Sequence, residues 1–138
     1  MKILVIFGVN MDMLGKRETN LYGEKSLDEI VGDLKKKYEV SDIEPEFFQS
    51  NIEGEICTKI GHTDADAIVI NAGAYTHYSI AIRDAIKGCN KKVVEVHQTN
   101  LFAREEFRKT SVIAPVCYGT ICGFGEKVYK CAVECLRV

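Results

Sequence analysis

A buried β-strand that ends in polar residues is predicted by Val93-Val94-Glu95-Val96-His97-Gln98-Thr99-Asn100. Valine is β-branched and favours strands. Ligands of open parallel sheets bind outside the carboxyl ends of the strands, so His97 and the residues after it should lie where chemistry occurs. Glu95 and His97 are two residues apart and leave the same face of a strand, so the carboxylate could hold the imidazole in one tautomer. The alternative is a half-buried histidine bonded to a carbonyl group.

The rest of the chain alternates between strand and helix patterns. Four further strands are predicted at residues 2–7, 43–49, 66–70 and 120–124, and helices at residues 26–37, 51–61, 79–88 and 126–137. Ser26 and Glu29 have the spacing of a capping box, Asn51 is expected to cap the second helix, with Ile52 on its buried side, and Pro45 indicates an edge strand. Together with right-handed crossovers, this alternation predicts an α/β, flavodoxin-like, doubly wound five-stranded parallel sheet with helices on both faces, formed as one catalytic domain over residues 1–138.

The composition excludes several classes of protein. Charged residues make up 28% of the chain and hydrophobic residues 46%, as in a globular domain, and the net charge of −2 gives no basic footprint for nucleic acid. The first apolar run stops at Gly8, and no run approaches the ~20 residues of a membrane span. We therefore expect a cytoplasmic protein with neither a membrane nor a nucleic acid as partner.

The six cysteines do not indicate a metal site. None forms a Cys-x-x-Cys pair, and the three histidines are scattered. Without a secretion signal, the cysteines should be reduced, and we expect them to be buried as small apolar side chains. No glycine-rich nucleotide motif follows the first strand. We therefore expect neither a metal nor another cofactor.

A long segment without a sustained helix or strand pattern follows the first strand. Such loops are usually functional or disordered, so we expect a lid over the active site at about residues 8–24, the alternative being a mobile surface loop. Polar residues follow three of the strands: Asn10, Arg17, Tyr22, Asn71, His77, His97, Thr99, Arg104 and Arg108. At one edge of a parallel sheet, this set suits proton transfer on an anionic, polyhydroxylated small molecule.

Three separated motifs give a more specific indication. They are residues 8–18 continuing through Tyr22 and Gly23; residues 70–79 with Arg83-Asp84-Ala85; and residues 95–100 with residues 103–108. In this order, and over essentially the whole chain, they resemble the type II 3-dehydroquinate dehydratases. These enzymes are hydro-lyases of the shikimate pathway, which leads to chorismate and the aromatic amino acids, and they convert 3-dehydroquinate to 3-dehydroshikimate.

The first motif departs from the family pattern at four positions. Phe7 stands where the family usually has Asn, Val9 where it has Pro, Asp12 where it has Asn, and Thr19 where Pro is common. These changes concern the rigidity of the lid and its affinity for substrate, since Asp12 would repel an anion if it pointed inward.

The resemblance implies an anti elimination through an enolate, without a Schiff base. Tyr22 would be the base, and a nearby cation, Arg17 or alternatively Arg108, would favour its ionised form. Asn10 would hold a water that stabilises the enolate oxygen. His97 would protonate the departing hydroxyl and Glu95 would orient His97.

The resemblance also implies the contacts to substrate and the assembly. The substrate-binding residues would be Gln98 and Thr99, through backbone N–H groups and a hydroxyl, together with Asn71, His77, Arg108 and an Asp84 lent by a neighbouring subunit. The family assembles trimers into dodecamers, so a homo-oligomer is expected. For Arg104, a salt bridge to Glu105 or another carboxylate and a substrate role are both open. Two other functions are a flavodoxin-like small-molecule binding module and, because of the altered first motif, an inactive member of the family.

Overall fold

The computed structural model describes residues 1–137 and contains one five-stranded sheet in the order β2-β1-β3-β4-β5, with every pair of neighbours parallel. The strands are β1 (Lys2–Phe7), β2 (Glu44–Gln49), β3 (Ala67–Asn71), β4 (Lys92–His97) and β5 (Gly119–Cys122). This order confirms the flavodoxin-like fold, and it places β2, with Pro45, at an edge as predicted.

Five α-helices connect or flank the strands: α1 (Thr19–Tyr22), α2 (Leu27–Tyr38), α3 (Glu53–His62), α4 (Ile80–Gly88) and α5 (Lys127–Leu136). Short 3-10 turns lie at Met11–Met13, Gly73–His77, Leu101–Ala103, Glu106–Lys109 and Ala114–Val116. The predicted capping box begins α2: Ser26 Oγ accepts from the Glu29 backbone N–H at 3.1 Å, and the Glu29 carboxylate accepts in return from the Ser26 backbone N–H.

The alternation of side chains along β1 separates two apolar cores. Ile3, Val5 and Phe7 pack on the face covered by α2 and α5. Leu4 and Ile6 pack on the opposite face, against residues of α3 and α4. Successive side chains of a strand point to opposite faces, so β1, β2, β3 and β4 each contribute to both cores. Both layers therefore bury apolar surface, and the polar residues are left at the ends of the strands.

The predicted start of the second long helix is wrong. The residue before the helix is Ile52, whose backbone is extended and whose side chain is 60% exposed. The Asn51 side chain does not cap the helix, because its Oδ1 accepts from the Asn10 backbone N–H and from Gln49 Nε2. Asn51 instead connects the loop after β1 to the end of β2.

The segment at residues 8–24 is more ordered than its sequence pattern indicates. It contains the 3-10 turn at Met11–Met13 and the four-residue helix α1, and no longer helix or strand. Met11 and Leu14 are buried in the core beneath it. Asp12 is exposed, which keeps its charge away from the interior.

The cysteines are free thiols, but the prediction that they are buried is wrong. Cys131 and Cys135 are exposed on α5, and the other four are partly exposed. In the described part of the chain, no three His, Cys, Asp or Glu side chains cluster so as to hold a metal ion. No helix within residues 1–137 is both long and apolar enough to cross a membrane.

Candidate active site

A cavity opens at the carboxyl ends of β1, β3 and β4. It is lined by nine of the predicted site residues and by Arg104: Asn10, Arg17, Tyr22, Asn71, His77, His97, Gln98, Thr99, Arg104 and Arg108. No lysine lines it among residues 1–137. Two of the predicted residues lie outside the lining. Glu95 is buried beneath His97, and Asp84 is exposed on α4.

The imidazole of His97 is held by Glu95. His97 Nε2 lies 2.7 Å from Glu95 Oε1, and the Glu95 side chain is fully buried. The contact has the geometry predicted from the spacing of the two residues along β4. An ionised carboxylate only accepts, so Nε2 carries the proton and donates it. Nδ1 is then the ring nitrogen that can exchange a proton with a ligand in the cavity.

Three hydroxyl groups complete the surroundings of Glu95. Thr76 Oγ1 and Ser111 Oγ donate to its Oε1, and Thr120 Oγ1 donates to Oε2 at 3.3 Å. Burial raises the pKa of Glu95, but the hydrogen bonds from His97, Thr76 and Ser111 outweigh it and hold the pKa below its ordinary value. Glu95 is therefore an ionised group in an interior position, and its carboxylate fixes the orientation of the His97 ring.

On the other side of the cavity, Tyr22 lies between two guanidinium groups. Arg104 Nη2 donates to Tyr22 Oη at 2.9 Å, and Arg104 Nη1 donates to Thr99 Oγ1 at 3.2 Å. The Arg17 guanidinium carbon lies 4.9 Å from the centre of the Tyr22 ring. Two positive charges therefore adjoin the phenol.

The two arginines retain donors that the described protein does not use. Arg17 Nε and Arg104 Nε are buried, and neither has a hydrogen-bond partner among residues 1–137. Buried donors without partners are costly and uncommon. Both side chains also line the cavity, so their positive charges lie where an anionic ligand could bind.

His77 and Arg108 also line the cavity. His77 Nδ1 bonds to the Thr110 carbonyl at 2.8 Å, so it carries the proton and donates. Burial lowers the pKa of His77, which keeps the ring neutral near pH 7. Arg108 Nε donates to Glu105 at 2.5 Å. The partner of Glu105 is thus Arg108, and the salt bridge considered for Arg104 does not form.

The comparisons with known proteins agree with this geometry. The family model of class II dehydroquinases matches residues 1–137. The chain belongs to the class II dehydroquinase family. The 3-dehydroquinate dehydratases of Caldicellulosiruptor bescii and Clostridium beijerinckii are 52% and 50% identical to it, over 99% and 100% of this chain and 96% and 97% of their own lengths.

Solved structures of the family have the same fold. The type II dehydroquinase of Butyrivibrio crossotus superposes with a TM-score of 0.95 at 48% identity, covering 99% of this chain and 97% of its own. The enzyme of Propionibacterium acnes gives 0.93 at 36% identity, covering 98% and 94%. The altered first motif therefore leaves the fold of this dehydroquinase unchanged.

The sequence leaves the role of Arg104 open, and no site role was predicted for the residues whose hydroxyl groups surround Glu95. Arg104 lies in extended backbone between two 3-10 turns, where no periodic pattern fixes the direction of a side chain. Thr76 lies in the 3-10 turn Gly73–His77, Ser111 lies in a loop, and Thr120 comes from the neighbouring strand. Only Thr120 had a usable signal, because it pairs with Glu95 in the parallel register of β4 and β5.

Proposed function

We propose that this chain dehydrates 3-dehydroquinate to 3-dehydroshikimate in the shikimate pathway, with Tyr22 as base and His97 as acid. The observation that carries the proposal is the shared cavity: Tyr22, bonded to Arg104, and His97, bonded to Glu95, both line it. Membership of the class II dehydroquinase family supports the identity of the substrate. Removal of a proton by the base and protonation of the departing hydroxyl by the acid together eliminate water, which is the reaction of a hydro-lyase.

The first step is removal of a proton from the carbon next to the substrate ketone. Tyr22, as a phenolate, accepts this proton, and the electron pair moves onto the ketone oxygen to form an enolate. Arg104 stabilises the phenolate by a direct hydrogen bond, and Arg17 stabilises it from the ring side. Asn10, at the entrance of the loop after β1, would hold a water that donates to the enolate oxygen.

The second step is loss of the hydroxyl group. The enolate electrons reform the ketone and make the new carbon–carbon double bond as the carbon–oxygen bond breaks. His97 gives its Nδ1 proton to the departing oxygen, which leaves as water. Glu95 stabilises the imidazolium before transfer and fixes its orientation, since its carboxylate accepts from Nε2 at 2.7 Å.

Substrate binding uses the remaining polar groups of the cavity. The backbone N–H groups of Gln98 and Thr99, with the Thr99 hydroxyl, would hold the carboxylate. Asn71, His77 and Arg108 would hold the carboxylate and the ring hydroxyls. The positive charges of Arg17 and Arg104, which also line the cavity, would attract the anion.

Asp84 requires a second subunit in this proposal. It is exposed on α4 and absent from the lining of its own cavity, so it would act on the cavity of a neighbouring copy. We propose a homo-oligomer of trimers assembled into a dodecamer, located in the cytoplasm. Sedimentation equilibrium of the purified protein would then give the mass of twelve chains, whereas the mass of one chain would contradict this assembly.

The test of the function is a direct assay. Purified protein is incubated with 3-dehydroquinate, and the ultraviolet absorbance of the conjugated enone is followed. We expect absorbance to rise, and we expect borohydride added with substrate to leave activity unchanged, because no lysine lines the described cavity. A folded protein that gives no absorbance change would contradict the function, and inactivation by borohydride would contradict the enolate mechanism.

A further inference from the structure

Behind the cavity, a continuous line of hydrogen bonds joins the end of β3 to the lid. Asn71 Nδ2 donates to Tyr129 Oη at 2.9 Å, and Tyr129 Oη donates to Gln98 Oε1 at 2.9 Å. Gln98 Nε2 then donates to the backbone carbonyl of Tyr22 at 3.2 Å. The far end is fixed as well, since Asn71 Oδ1 accepts from the Gly73 backbone N–H at 3.1 Å.

Tyr129 is the central member of this line, and its hydroxyl is suited to the position. The group must accept from one amide and donate to another, which a hydroxyl can do and an aliphatic or phenyl group cannot. Tyr129 is fully buried on α5, and its ring packs on Phe7 with 5.0 Å between ring centres. Burial raises the pKa of the Tyr129 hydroxyl, so it stays protonated and able to donate.

The last hydrogen bond of the line reaches a helix that needs support. Helix α1 has four residues, and helices this short are not stable by themselves. The carbonyl of Tyr22 is one of the terminal carbonyls that a helix leaves without an internal partner, and Gln98 supplies a donor to it. Tyr22 is thus held at its side chain by Arg104 and at its backbone by Gln98.

We propose that Tyr129 is a positioning residue that, through Gln98, fixes the backbone of the lid at Tyr22. Tyr129 does not line the cavity, so it acts through Gln98 and Asn71. The inference rests on the proposed function for its kinetic consequence, because Tyr22 is the base there. Its structural consequence, the anchoring of α1, does not depend on any substrate.

Tyr129→Phe tests the proposal, because it removes the hydroxyl and keeps the ring that packs on Phe7. Tyr38→Phe is the matched control. Tyr38 is also a buried tyrosine on a helix, but its hydroxyl donates to Glu134 Oε1 at 3.0 Å, away from the cavity. Hydrogen–deuterium exchange of peptides covering α1, measured without substrate, reports the anchoring. Steady-state turnover of 3-dehydroquinate reports the placement of the base.

In Tyr129→Phe we expect faster exchange in α1 and a fall in kcat of roughly 10- to 100-fold, since displacing a catalytic group by about 1 Å has an effect of this size. KM should change less than kcat, because Asn71 keeps its bond to Gly73. Tyr38→Phe should match the wild type in both measurements. Exchange in α1 equal to that of the wild type, in a folded Tyr129→Phe protein, would overturn the proposal whatever the kinetics.

Gln98→Met provides a second route if Tyr129→Phe does not fold. It cuts the line at the next member and keeps the backbone N–H of residue 98. We expect the same increase in exchange, and unchanged exchange would overturn the proposal. A wild-type protein without turnover would contradict the proposed function alone, because the exchange comparison needs no substrate.

Discussion

At the scale of single residues, the contact between Arg104 and Tyr22 would give the proposed base its main support. A guanidinium has donors and no acceptor, so Arg104 donates to Tyr22 Oη, and its positive charge lies beside the oxygen that would take the proton. Arg17, the cation expected from the sequence, lies over the ring at 4.9 Å and acts from a second direction. The alternative cation, Arg108, is paired with Glu105.

Arg104→Gln should lower kcat by on the order of 10- to 100-fold, because an amide can still donate to the phenolate but carries no positive charge. Steady-state initial rates over a range of 3-dehydroquinate concentrations would separate kcat from KM. Arg137→Gln is the control, since Arg137 forms exposed ion pairs with Asp42 and Glu134 at the far end of α5. Equal activity of the two variants would show that Arg104 does not support the base.

The pair Glu95 and His97 could be predicted from the sequence, and Arg104 could not. Strand geometry fixes the direction of each side chain, so a spacing of two residues places both on one face. Arg104 lies outside any regular element, and its long side chain reaches Tyr22 across the cavity. Tyr129 was predicted to lie on a helix, but its hydroxyl partners depend on the packing of α5 against the sheet.

At the scale of secondary-structure elements, β4 carries the proposed acid, His97, and three other segments hold the carboxylate that orients it. Thr76 follows β3, Ser111 precedes β5, and Thr120 lies on β5. Their hydroxyls donate to Glu95 together with His97. The protonation state of a buried residue on one strand therefore depends on neighbours from several elements.

The stability of the protein should depend on pH through Glu95. Burial raises its pKa, but hydrogen bonds to the charged form lower it further, so the folded pKa is below the ordinary value of 4.5. The stabilisation is fully present above about pH 4.5 and is lost as the pH falls through the folded pKa. Glu95→Gln should thus be less stable than the wild type at pH 7, and the difference should shrink in acid. Urea unfolding at several pH values measures it, and a constant difference would contradict an ionised Glu95.

The junction between β1 and the lid depends on Gly8. A Cβ atom at this position would lie 2.6 Å from the Ala72 carbonyl oxygen, which is backbone and cannot move aside alone. The ends of β1 and β3 therefore approach each other closely only because residue 8 lacks a side chain. Asn10, two residues later, has a left-handed backbone (φ 66°).

Gly8→Ala should lower the free energy of unfolding by roughly 1–3 kcal/mol, the usual effect of overpacking. Gly32→Ala is the opposite control, because Gly32 lies within α2 and an added Cβ would meet nothing within 4 Å. That change should raise the free energy of unfolding by about 0.5–1 kcal/mol. Urea titrations of both variants measure the free energy of unfolding. A Gly8→Ala protein as stable as the wild type would show that the ends of β1 and β3 can separate freely.

At the scale of the whole molecule, the parallel sheet collects residues that are distant in sequence at one edge. The fold could be predicted because runs of buried strand residues alternate with amphipathic helices, and this pattern is set by the chain itself. The predicted site residues after β1, β3 and β4 meet in one cavity because those strands are neighbours and parallel. Asn51 and Ile52 were mispredicted because tertiary contacts of the first loop, rather than helix propensity, decide how Asn51 is used.

In the proposed mechanism this arrangement separates the two catalytic groups, with the base Tyr22 on the loop after β1 and the acid His97 on β4. Proton removal and loss of the hydroxyl group can be measured separately. Proton removal is followed by NMR as deuterium incorporation from D2O into the carbon next to the ketone of 3-dehydroquinate. The wild type should dehydrate the substrate. His97→Ala should incorporate deuterium without dehydration, because Tyr22 still forms the enolate, whereas Tyr22→Phe should do neither. Deuterium incorporation by Tyr22→Phe would contradict the assignment of the base, and unimpaired dehydration by His97→Ala would contradict that of the acid.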